Sequence, residues 1–159
     1  MLRALLIGLF LLLFCGTDLR ADSTSPPTGR IIKVLPLLMN KKSQVAPSPS
    51  LFDRDAYQAY LLKQTNEVSG IRFDICWKAH NASGLQLKLR LEARGVGAGG
   101  LPTQTVLEQT VTPKFFRHWI SLTLAGRDYK KFGALAAWRA TLWNGSQLIG
   151  EQQSFLWSL

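Results

Sequence analysis

The chain has 159 residues, nineteen of them Lys or Arg against ten Asp or Glu, for a formal net charge of +9. At 47% hydrophobic residues it is too apolar for a disordered chain, and two cysteines exclude a disulfide-dense scaffold. The charge favours anionic partners: polyanionic glycans, phospholipid head groups or nucleic acid.

Arg3, the unbroken apolar run Ala4 to Cys15 and the polar stretch Gly16 to Ala21 have the order of a secretory signal peptide, with cleavage expected after Ala21. A run of this length falls short of the ~20 residues that span a bilayer, so no transmembrane span is expected in the mature form. A lipid anchor on Cys15 is the rival reading; Leu13 and Phe14 stand where small residues precede a lipidated cysteine. Arg3, Arg20 and Asp18 leave with residues 1–21, so the mature chain carries seventeen basic and nine acidic residues, a net charge of +8. It also keeps one cysteine, Cys76, and therefore no internal disulfide. Export, periplasmic or extracellular, argues against nucleic acid as the target. Most basic residues stand singly, with Lys41-Lys42 and Lys130-Lys131 adjacent, a distribution that suits solvated faces as well as a polyanion site.

Residues 22–29, "DSTSPPTG", read as a disordered spacer, and residues 30–159 as one domain. "RIIKVLPLL", Arg30 to Leu38, predicts the first strand; Pro36 cannot donate to a ladder, so the strand belongs at an edge or carries a bulge. "LFDRDAYQAYLLKQ", Leu51 to Gln64, changes to helical period, with Ser50 as N-cap and Asp53 three residues on. Its stripe Phe52, Ala56, Ala59 and Tyr60 is expected to cover part of the core. From Gly70 the period becomes two. Ile71, Phe73, Ile75 and Trp77 oppose Arg72, Asp74, Cys76 and Lys78; Leu85, Leu87, Leu89 and Leu91 oppose Gln86, Lys88, Arg90 and Glu92. "GVGAGG" lacks the lysine and helix of a phosphate loop and reads as flexible. "TQTVLEQTV" and "FRHWISLTL" follow as strands, "AGRDYKKFG" turns the chain, and Ala134–Trp143 with Gln147–Trp157 close it. The expectation is an all-β, seven-stranded antiparallel sandwich with one short helix between the first and second strands.

The segment "FGALAAWRATLWNGSQLIGEQQSFLW" holds a Gly, an inward Trp on a strand, a tight turn and a last strand ending in an apolar pair. It resembles an immunoglobulin-like domain of exported bacterial proteins, and "SPSLFDRDAYQAYL" adds a likeness to a family of short exported bacterial proteins. The resemblance implies the immunoglobulin-like sandwich; it brings no activity or functional residues, and the inter-sheet cysteine pair of antibody domains is missing.

Trp138, Ala140 and Leu142 share one face of their strand, Arg139, Thr141 and Trp143 the other. Trp138 is therefore assigned to the core, Trp143 outward, and Trp157 to the bottom of the sandwich. A two-residue turn at Asn144-Gly145 pairs Leu142 with Gln147; a three-residue turn pairs Leu142 with Leu148 and Arg139 with Glu151, which is the preferred register. If the sheet has a ligand surface, Trp143 with Arg139 is the place for it, because an aromatic face and a guanidinium suit sugars or anionic groups.

No catalytic set emerges. His80 falls in a turn and His118 begins a strand, neither with metal-ligand or nucleophile-elbow spacing, and neither a cofactor nor a metal is expected. Asp53 and Asp55 do not share a helix face and suit the helix N-terminus. Cys76 is expected to be a free structural thiol; an intermolecular disulfide is the functional alternative. Asn81 and Asn144 head glycosylation sequons in predicted turns. The leading expectation is a non-catalytic exported sandwich that binds or scaffolds an envelope or extracellular protein or glycan. Two others stand beside it: a small secreted hydrolase with a dispersed site, and an assembly factor that exchanges a strand at the proline-bearing edge.

Overall fold

A computed structural model of the chain describes residues 25–158; the expected leader, its expected cleavage point and Cys15 lie outside the described residues. Seven antiparallel strands form two sheets. In chain order they are β1 (Thr28–Asn40), β2 (Val68–His80), β3 (Leu87–Val96), β4 (Pro102–Val111), β5 (His118–Ala125), β6 (Ala134–Asn144) and β7 (Gln147–Gln153). One sheet has the order β1-β2-β5, the other β4-β3-β6-β7. A helix, α1 (Leu51–Lys63), follows β1. These are the strands and the helix the sequence predicts, except that the last strand stops at Gln153 and Phe155–Ser158 turn as a 3-10 helix. β1 opens at Thr28, so Thr28 and Gly29 at the end of the expected spacer are strand.

The period-two runs make the core. Phe73 and Ile75 from β2 and Leu87, Leu89 and Leu91 from β3 are almost wholly buried between the sheets, and Leu142 of β6 joins them. Burying side chains of this size contributes about 1.5–3 kcal/mol each.

α1 is capped as predicted, the Ser50 side chain accepting from the Asp53 N–H. Its orientation is not the expected one. Phe52 is 81% exposed and Tyr60 48%, with Ala56 and Ala59 also outward; the covered face is Arg54, Tyr57, Gln58 and Leu61. The cause is polar. β1 is a sheet edge, and the Gln58 carboxamide satisfies it: Oε1 accepts from the Leu38 N–H at 2.7 Å, and Nε2 donates to the Leu38 carbonyl at 2.9 Å and to the Val45 carbonyl at 2.8 Å. Asn40 Nδ2 donates to the Tyr57 hydroxyl at 2.9 Å. A covered backbone group without a partner costs about 1–3 kcal/mol. Three such groups, with Leu61 buried, outweigh the Phe52 ring, two alanine methyls and the exposed half of Tyr60. The strand-exchange reading needs this edge open, and Gln58 occupies it at Leu38.

A second helix, α2 (Gly126–Phe132), replaces the expected turn. Seven residues with two apolar positions give too little periodicity to be read from sequence. Phe132 is buried in the core, and burial of Tyr129 raises its phenol above the ordinary tyrosine range. Gly133 ends α2 at φ +78°, where a Cβ would overlap the Val96 carbonyl oxygen.

The β6–β7 hairpin takes neither expected register. Asn144 pairs with Gln147 across a Gly145-Ser146 turn, and Trp143 pairs with Leu148. A bulge then leaves Ile149 without a partner, so Leu142 faces Gly150 and Arg139 faces Gln153. The bulge lets Ile149 pack on the core and puts the one glycine of β7 where β1 crosses: a Cβ on Gly150 would lie 2.6 Å from the Gly29 carbonyl oxygen. The two sheets thus meet backbone to backbone along a β1/β7 seam.

Candidate functional site

Arg139 and Trp143 do lie on one outer face, that of the β4-β3-β6-β7 sheet, but they do not form a site together. Thr141, wholly buried, stands between them. Trp143 is half-buried and its Nε1 donates to Thr141 Oγ1 at 2.9 Å. Arg139 turns the other way, its Nε 3.2 Å from Glu92 Oε2 and its Cζ 5.9 Å from the ring of Trp157. Arg94 lies closer over that ring, at 4.0 Å, and donates to the Trp157 carbonyl at 3.1 Å. Trp157 therefore rests on the outside of this sheet, carried there by a 3-10 turn at Phe155–Ser158, and does not seal the bottom of the sandwich. Trp138 is on the inner face but only half-buried. Three arginine–glutamate contacts here form one chain, since Glu92 also meets Arg90, which meets Glu108, while Arg94 is held by Trp157. Apart from the Arg139 Nε–H, which faces Glu92 without forming a directed hydrogen bond, the polar contacts named here close within the molecule.

Cys76 is 2% exposed and unpaired, with Lys33 of β1 and Trp119 of β5 as its cross-strand neighbours. His118 is half-buried with its ring 5.8 Å from that of Trp77, while His80 is exposed at the end of β2. Asp53 accepts from the Ser48 hydroxyl and Asp55 from Arg54, so the two carboxylates have separate duties. Among the described residues no three His, Cys, Asp or Glu side chains come together as metal ligands would.

The unsatisfied surface is elsewhere. β2, β4 and β6 all finish at one end of the sandwich, which gathers the connections 81–86, 112–117 and 145–146. The middle one reads "TPKFFR" and runs into His118 and Trp119. Phe115 is 93% exposed and Phe116 73%, their rings T-shaped at 5.1 Å and 89°; Trp119 is 54% exposed. An open depression of about 840 Å³ beside the pair is lined by His80, Asn81, Ser83, Pro113, Lys114 and Phe115. Around it the cations accumulate. On the outer face of the β1-β2-β5 sheet Arg30 stands directly opposite Lys78, with Lys33 further along β1. Like charges directly opposite each other destabilise a strand pair. Arg30, Lys33, Lys78, Lys114 and Arg117 have no ion-pair partner among the described residues; the one ion pair described on this sheet face, Arg72 with Asp74, lies further along β2. The three connections contain no Asp or Glu.

No protein-family model and no characterised relative matches the sequence. Among solved structures the chain is similar to a protein of Akkermansia muciniphila known from its crystal structure, with a TM-score of 0.54 at 9% identity over 84% of this chain and 76% of that one. The likeness is one of fold.

Sequence reasoning passed over this end of the molecule. Half of its signal was legible: two adjacent phenylalanines between Lys114 and Arg117, after Pro113, cannot both turn inward on a strand. The other half, Arg30 against Lys78, exists only in the register of β1 on β2. Both sequons also fall here, Asn81 exposed and Asn144 half-buried.

Proposed function

We propose that this chain is an exported, non-catalytic, immunoglobulin-like sandwich that binds an envelope or extracellular component through the end carrying residues 112–119. The observation that carries the reading is the Phe115–Phe116 pair, held in water at 93% and 73% exposure. Monomers rarely leave adjacent large aromatics bare unless a partner covers them. The immunoglobulin-like assignment is supported by the division of seven antiparallel strands into three and four. Export is supported by the basic, apolar, polar order of residues 1–21. Immobilised wild-type protein should retain a component of envelope or matrix extracts that Phe115→Ser/Phe116→Ser releases, with the thermal melt unchanged. Equal retention by both proteins, or by neither, would remove this end as the binding surface.

A further inference from the structure

We infer that the component bound is the surface of an anionic phospholipid bilayer, a step that rests on the binding role proposed for this end. Two independent features point to it. The first is shape and chemistry: Phe115, Phe116 and Trp119 project from one corner, and the depression beside the phenylalanines is open to solvent. Two exposed phenylalanines are suited to enter the acyl boundary, and a tryptophan at the edge of the same patch suits the headgroup layer. The second is charge. Lys114 and Arg117 bracket the phenylalanines, and Arg30, Lys33 and Lys78 extend the cationic surface on the adjoining sheet face. Arg30 and Lys78, opposed across two strands, are relieved by an anionic surface and not by any carboxylate described in the molecule.

Insertion of the phenylalanines and attraction of the cations make separable demands, which sets the experiment. The exported chain is prepared in a host that does not N-glycosylate, because both sequons lie at this end. It is then sedimented with phosphatidylcholine vesicles, alone or with about 30 mol % phosphatidylglycerol. Binding is expected with the anionic vesicles, with a blue shift of tryptophan emission that is diminished in Trp119→Phe. Lys114→Glu/Arg117→Glu should weaken it about 30-fold or more, and added salt should mimic that change. Phe115→Ser/Phe116→Ser should weaken it about tenfold or more. Phe52→Ser, at the far end, should leave it unchanged. No sedimentation with anionic vesicles, or equal loss in Phe52→Ser, would overturn the inference. If vesicles fail while a detergent-solubilised envelope protein or a sulfated glycan is held in a Phe115- and Phe116-dependent way, the lipid inference falls and the binding role stands. If neither is held, both fall.

Discussion

Trp138 and Trp143 leave β6 on opposite faces, and their truncation should separate them. Trp138→Ala opens the inner face beside Ala140 and Leu142 and is expected to cost about 2–3 kcal/mol, below the ~3–5 of a fully enclosed ring. Trp143→Ala loses outward packing and one hydrogen bond, about 1 kcal/mol, because Thr141 Oγ1 keeps its bond to the Arg90 carbonyl. Urea melts check the order; equal losses would mean that Trp143 is as much a packing residue as Trp138. Alternation along one strand made this contrast legible. The aromatic neighbour of Arg139 was not, because Trp157 arrives from beyond the end of β7, where no strand parity applies. Cys76 shows the same boundary. Its parity placed it among charged residues, yet its setting between Lys33 and Trp119 leaves it 2% exposed. It should react with a thiol reagent only at the rate at which the domain opens, and non-reducing gels should show no dimer.

At the scale of the element, Gln58 is the test of why α1 docks as it does. Gln58→Leu keeps the helix and the bulk but leaves the Leu38 N–H and carbonyl and the Val45 carbonyl without partners. We expect a loss of roughly 2–4 kcal/mol and faster amide exchange at Leu38 and through α1. Association that rises with concentration should accompany it as the β1 edge opens. Unchanged protection would show that Leu61, and not Gln58, holds the helix. The existence and start of α1 could be read from Ser50, Asp53 and a helical period. Its face could not, since the demand that orients it arises only once β1 has become an edge. The β6–β7 register failed for a related reason. Matching Leu142 to Leu148 is favourable across two strands taken alone, but the position of Gly150 is dictated by a third, β1.

For the whole molecule, the count of strands was written in the punctuation of the chain, from "APSPS" to "GVGAGG" to Asn144-Gly145. The division into three and four was not, because pairing β5 with β2 and β6 with β3 joins residues far apart in sequence. Export carries its own check: intact mass of secreted material should place the first residue near Asp22. A chain that retains residues 1–21, or starts at a lipidated Cys15, would contradict the leader. The β1/β7 seam bears on when such a chain can close. Gly29 and Gly150 lie roughly 120 residues apart, so the contact that shuts the sandwich waits for the last strand to be made. Until then the nascent chain has a sheet with an unsealed flank, so the sandwich cannot close before its last strand is present. Accordingly, a version ending at Asn144 should show no cooperative melt, while the full domain should refold in milliseconds to seconds, the pace of all-β folds closed by distant strands.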